Sequence, residues 1–384
     1  MDCRLSIHWV GTPRFMPSSA LKSDLLWGSS CTRSVSCIRF DPDQHQPLVV
    51  AAAGPSPCES SSLNSPLVPR SPVGKYLSRV FQNQRQLLHV AVFDELKLLA
   101  DERDSAVARM ILSEDSDEAA LHRRIAELKE HSCRINVEDV MYILILCKFS
   151  QIKVPLVPKL SSCIYNGRLE IFPVKDWELE SIHSPDSLEM VRSHVNKLTG
   201  LSSNSSVSDL WATTHVRKRH LSNIYVASIL YGYFLKSVST RHQLEQIFSL
   251  SSDEARNTRS SHHRPSKNWP YGWNNLVFRH KGDKGHPLKD KTSWNLSSYL
   301  MGFDSDMVDK CGQVQSLGAK ELIERQTVAL FGETRAAISM SDETDLIITS
   351  FSSMKRLFLE AVAFGSFLSE VEHRVDSVYP IRDC

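Results

Sequence analysis

The sequence predicts a mainly α fold: a helical bundle with an internal tandem duplication, following a disordered N-terminal targeting segment. Three observations predict it. Apolar residues recur at helical spacing from residue 73 onward. Two stretches offset by roughly 130 residues match each other in register, a period too long for a solenoid. Residues 1–70 differ in composition from all that follows.

From Met1 to Arg70 the chain is rich in Ser and Pro and poor in acids, with Arg4, Arg14, Lys22, Arg33 and Arg39 spread along it. That is the composition of an organellar transit peptide, although Asp24, Asp41 and Asp43 depart from it. The charged-then-apolar plan of a secretory signal is missing, and no run has the length of a membrane span. Residues 1–53 are read as the transit peptide, closing on the small residues Val49–Ala53. Residues 54–70, with Pro55, Pro57, Pro66 and Pro69, are read as a disordered spacer.

Residues 71–180 are predicted to form an N-terminal helical region. Tyr76, Leu77, Val80, Leu87, Leu88, Ala91, Leu96 and Leu99 mark helical faces over Val73–Asp104. Ser105–Arg134 is charged and continues that style, with Leu121, Ile125 and Leu128 as a thin stripe. Val137–Ile152 is a strongly apolar helix, and Val154-Pro155-Leu156-Val157-Pro158 ends it. Cys147 within it reads as a small buried hydrophobe. Gly167–Trp177 is short and Pro-broken, fitting a strand or an extended loop.

The matched stretches define two repeat units, 181–248 and 295–384. Ser184–Gly200 lies over Ser316–Gly332, and Ile224–Leu235 over Leu357–Leu368, so that Gly200 meets Gly332 and Gly232 meets Gly365. Each unit reads as a helix closed by a glycine, a variable loop and a long apolar helix. Gly200 and Gly332 suit the left-handed position after a helix end. Gly232 and Gly365 sit inside the long helices, where glycine costs about 1 kcal/mol against alanine. Their pairing implies a helix backbone close by, with Tyr231, Phe234, Phe364 and Phe367 sealing the contact. A ligand pocket beside them is the competing reading. Glu189 with Arg241, and Glu321 with Arg374, are candidate ion pairs that fix helix register or line a charged pocket.

Between the units, residues 249–294 form a basic, aromatic linker. Arg264, Lys267, Arg279 and Lys281 alternate with Trp269 and Trp273, a mixture that can stack on bases and neutralise phosphates. A solvated linker is the plainer reading, and the formal net charge of +1 argues against a general polyanion binder. The nine cysteines lack CxxC spacing, which argues against a disulfide framework. His262-His263 has no acidic or thiol ligand at metal spacing, and neither GxxxxGK[ST], GxGxxG nor GxSxG occurs. No catalytic residue, cofactor or metal is therefore expected, and no integral membrane segment.

Ser298–Asp304, Glu321–Glu324, Ala329–Gly332 and above all Phe351–Leu368 resemble a plant family, the chloroplast UV-B-induced proteins that carry domain of unknown function 760. Ser71–Gly74, Arg123–Glu127 and Ala227–Lys236 extend the resemblance over most of the body. It implies chloroplast residence, with the stroma as the expected compartment, and a link to light, UV-B or stress. It transfers no catalytic residues. The leading expectation is a non-catalytic protein acting through protein partners. The alternatives are a plastid nucleic-acid-associated factor using the linker, and a small-ligand carrier or enzyme with a pocket near the mid-helix glycines.

Overall fold

The computed structural model of the protein describes residues 65–200, 211–257, 295–332 and 346–381, with side chains omitted for 249–257. The chain divides into two units, Met1–Ser56 and Pro57–Cys384, and every described residue lies in the second. The expected transit peptide and most of the linker, including Arg264, Lys267, Trp269, Trp273, Arg279 and Lys281, fall outside the described residues.

Helix α1 (Pro72–Asn83) begins where Ser71 accepts a hydrogen bond from the Gly74 N–H and Pro72 takes the first helical position, where its missing N–H is harmless. A 3-10 turn leads into α2 (Leu88–Leu112), which packs antiparallel to α3 (Ala119–Gln151). The charged helix expected over 105–134 is instead broken. Ser113-Glu114-Asp115-Ser116-Asp117-Glu118 turns the chain, because short polar side chains bond their own backbone there. Beyond the turn, α3 runs without interruption into the apolar 137–151 segment.

A hairpin of β1 (Ile164–Tyr165) and β2 (Arg168–Leu169) follows, turned by Asn166 and Gly167 at φ 49° and 75°. Asn-Gly is the residue pair that the tightest hairpin turn requires. After α4 (Asp176–Glu180) comes α5 (Pro185–Thr199), ending at Gly200 with φ 72°. Strand β3 (Thr213–Arg217) feeds α6 (Lys218–Asn257). The later segment holds α7 (Leu296–Met301), α8 (Ser305–Gly312), α9 (Leu317–Phe331), β4 (Leu346–Ser350) and α10 (Phe351–Asp376). Sheet order is β1-β2-β4-β3, with β2 and β4 parallel and β3 and β4 antiparallel.

Among the described residues, α5–β3–α6 and α9–β4–α10 each run helix, strand, long helix. The strands β3 and β4 are an addition to the helix–loop–helix units expected from sequence. Among the described elements the two long helices α6 and α10 form the most extensive contact, and α3 lies across α10 and α9. The core runs continuously from Leu77 and Leu96 through Ile143 and Tyr225 to Phe358 and Val375. Residues 65–70 also depart from the expected disordered spacer. Leu67 is buried, and Arg70 donates to Glu138 and Asp139, which holds this stretch against α3.

Candidate functional site

The glycines of α6 and α10 meet the opposite backbone reciprocally. A Cβ on Gly232 would sit 2.0 Å from the Val362 carbonyl oxygen, and one on Gly365 would sit 1.8 Å from the Ile229 oxygen. In each case the contact falls on the residue three positions before the partner's own glycine, the signature of a two-fold crossing. Backbones this close leave no space for a ligand beside the glycines, which corrects the pocket reading. Three of the four aromatics expected to seal the crossing also pack against other elements. Tyr231 stacks on His194 at 4.0 Å, Phe367 meets Phe149 edge-on at 5.1 Å, and Phe234 lies near Gly312 of α8.

The predicted ion pairs take other partners. Arg241 donates to Glu245 at 3.0 Å, one turn along its own helix, and Glu321 faces Arg134 of α3 at 3.6 Å. Glu189 and Arg374 are exposed. A pair between successive helical turns needs no convergence of distant elements, so it forms first.

The charged groups that matter structurally lie deeper, and spacing alone did not single them out. Arg356 and Glu360, one turn apart on α10, are buried and 2.9 Å apart. Arg356 donates to the Pro155 carbonyl at 2.8 Å and the Pro173 carbonyl at 3.3 Å. Glu360 accepts the Val157 N–H at 2.9 and 3.1 Å. The pair therefore clamps the Val154–Pro158 loop, whose prolines leave it no helix or strand partners. Burial raises the Glu360 carboxyl above its ordinary range, opposed by Arg356 and the Val157 N–H.

A second cluster seats the N-terminal strap. Asp139 accepts the backbone N–H groups of Arg70 and Ser71 at 2.8 and 2.7 Å. Arg325 from α9 reaches both Glu138 and Asp139, and Arg70 closes on Glu138 at 2.7 Å. Burial raises the Glu138 carboxyl, with Arg325 opposing. In a third cluster, Glu372 of α10 accepts the Ser316 N–H at 2.7 Å and the Tyr233 hydroxyl at 2.6 Å, tying the start of α9 to α6. The signal available in the sequence was a charged residue inside an apolar run: Glu138-Asp139 before Val140–Cys147, and Glu360 within Leu357–Leu368.

The outer face of the clamped loop forms part of an open groove of about 290 Å³. Phe81 of α1, Leu146 and Phe149 of α3, and Val154, Pro155 and Leu156 line it, with Ser65, Ser150 and Lys153 as its polar members. Lys153 adopts φ 57° just beyond the end of α3, a left-handed position that usually falls to glycine. Cys147 is buried, and burial raises its thiol pKa, away from the reactive thiolate. Among the described residues there is no group of three or more His, Cys, Asp or Glu that could hold a metal ion, and no helix long and apolar enough to cross a membrane.

A family described as a protein of unknown function (DUF760) has a model matching residues 120–248, from the start of α3 to well along α6. A chloroplastic UV-B-induced protein of Arabidopsis thaliana is 34% identical over 351 residues, covering 86% of this chain and 82% of that one. The chain belongs to this family. The family match falls on α3–α6 and includes Arg123–Glu127 and Ala227–Lys236, two of the stretches that carry the resemblance in the sequence. No solved structure matches it.

Proposed function

We propose that this family member is a chloroplast protein of the light and UV-B response that acts by binding a protein partner and catalyses no reaction. Chloroplast residence follows from the name of its Arabidopsis relative and the acid-poor N-terminal composition; within the organelle, the stroma fits a chain whose described helices are too polar to span a bilayer. The non-catalytic reading is supported by the work the buried charges already do. Glu360, Asp139 and Glu372 each accept backbone N–H groups, so their acceptor capacity holds chain segments in place.

Partner binding is carried by one observation. On the half of α3 beyond the main body, Leu121, Ile125 and Leu128 are exposed at spacings of four and three residues, one turn apart on a single face. Ile111 and Leu112 at the nearby end of α2 are exposed as well. Charges of both signs flank the stripe, with Arg124 paired to Glu127 at 3.1 Å and Lys129 to Glu102 of α2 at 2.7 Å. An amphipathic helix is the occupant this face fits.

The test is a Leu121→Glu, Leu128→Glu double variant compared with the native chain by quantitative crosslinking in isolated chloroplasts. A specific helical partner lost from the variant, with an unchanged melting temperature, is the expected result. Loss of self-association alone would make the occupant a second copy of the chain. An identical crosslinking profile would end the proposal, as would turnover of a plastid metabolite by the purified protein.

A further inference from the structure

We propose that the groove between α1, the end of α3 and the Pro155 loop binds a medium-chain fatty carboxylate. The site is independent of the α3 stripe, and it extends the function to a small ligand.

Its walls are apolar: Phe81, Leu146, Phe149, Val154 and Leu156. No acidic residue lines it, and its one charged member is Lys153, exposed at the mouth. A second cation stands alongside, with the Arg85 guanidinium 4.9 Å from the centre of the Phe81 ring. Among the described residues neither cation lies within ion-pair distance of a carboxylate. An apolar trough with unpaired positive charge at its rim complements a molecule with an apolar tail and an anionic head. Neutral apolar ligands would leave the cations unused, and cationic amphiphiles would be repelled.

The volume of about 290 Å³ falls just below the usual ligand-pocket range, roughly 300–1,000 Å³, which favours a medium chain over a long one. The trough is also pre-formed. Its loop wall is fixed from behind by Arg356 and Glu360, through Pro155 and Val157, so a ligand need not order it. Lys153 provides the remaining argument. A lysine in left-handed backbone is strained where glycine would be at ease, and such strain collects at functional positions.

Laurate below its micelle concentration, titrated calorimetrically into the full-length protein, tests the proposal. Saturable one-to-one binding is expected, with laurate methyl ester and dodecylamine binding at least about fivefold more weakly for want of the anionic head. Lys153→Gly should raise the melting temperature by relieving the backbone, yet weaken laurate binding about fivefold. Lys153→Glu should weaken it about tenfold or more, and Lys153→Arg should retain it. Ser150→Trp, which fills the trough from a half-buried position, should abolish binding without unfolding the chain.

Absence of saturable binding would overturn the proposal. So would equal binding of laurate, ester and amine, or indifference to Lys153→Glu. A photo-crosslinker placed at Ser150 that reacts with residues before Ser65 would assign the groove to the chain's own N-terminal segment, and would overturn it too.

Discussion

At the scale of single residues, the decisive positions are those where a side chain or its absence sets a distance between elements. Gly365 is one. Alanine there would place a methyl 1.8 Å from a main-chain oxygen of α6 and 2.8 Å from the Tyr233 nitrogen, and helix backbones cannot retreat without opening the core. Gly365→Ala is expected to cost about 3 kcal/mol, the upper end of overpacking penalties, read as a drop in the urea midpoint. Glu360 is another. Glu360→Ala strands the Arg356 charge in the core and should cost roughly 3–5 kcal/mol, while replacing both residues by apolar ones should recover much of that in the same titration.

His194 carries a pH dependence whose sign can be worked out. It lies stacked on Tyr231, and burial lowers its pKa from 6.5 to about 4. Between those values the unfolded chain holds the proton more tightly, so stability falls as pH falls through this window, by about 1 kcal/mol per unit. Glu138 and Glu360 act in the opposite sense. Their raised folded pKa values give stability that is complete below the ordinary carboxylate value and fades as pH rises through the folded ones. His194→Phe isolates the histidine: its unfolding free energy should decline less steeply from pH 6.5 to 4 than that of the native protein.

At the scale of elements, two segments without regular partners are held by buried carboxylates. The Val154–Pro158 loop hangs on Glu360, and the 65–71 strap with the start of α1 hangs on Asp139. Gly74 shows how close the second seat is, since a Cβ there would stand 2.6 Å from the Asp139 Cβ. Asp139→Ala removes the acceptor for two backbone N–H groups and should cost about 2–4 kcal/mol. Amide hydrogen exchange should show α1 losing protection before α6 and α10; uniform loss across all three would contradict a local seat. The helix starts at Ser71, Ser184, Ser316 and Ser350 follow the capping rule, each side chain accepting an N–H from the first turn.

At the scale of the whole molecule, the α6–α10 crossing organises everything described. The α5–β3–α6 and α9–β4–α10 segments meet where Gly232 and Gly365 cross, and α3 packs on α9 and α10 of the second. The sequence divides naturally at 180 and 295, but Glu138 bonds Arg325, Lys355 bonds Asp176, and Arg103 bonds the Pro380 carbonyl across those divisions. Thermal unfolding of the body should therefore be one cooperative transition, with equal calorimetric and van't Hoff enthalpies. Two separated transitions would mean that the segments fold as independent domains.

How much of this could be read in the sequence follows from the range of each interaction. Helix identity, the helix stop at Gly200 and the close approach at Gly232 and Gly365 depend on local pattern, or on two stretches that match, so the residues alone determined them; Gly332 also ends its helix, but at φ 78° and ψ 166° it lies outside the left-handed helical position expected for it. The Asn166-Gly167 hairpin was equally local, and its signal was present but was read only as a strand or a loop. The partners of charged residues were another matter. Arg356 and Glu360 pair locally, one turn apart, but Glu138, Asp139, Arg356 and Glu360 find their other counterparts 68 to 203 residues away, and nothing in the intervening sequence encodes that distance. Only the packed structure decided which carboxylate holds which loop, because burial removes water as a competitor and leaves each charge to whichever group the fold brings within reach. The groove has the same origin in part, since Phe81 of α1 meets the end of α3 and the loop that follows it only in the packed structure.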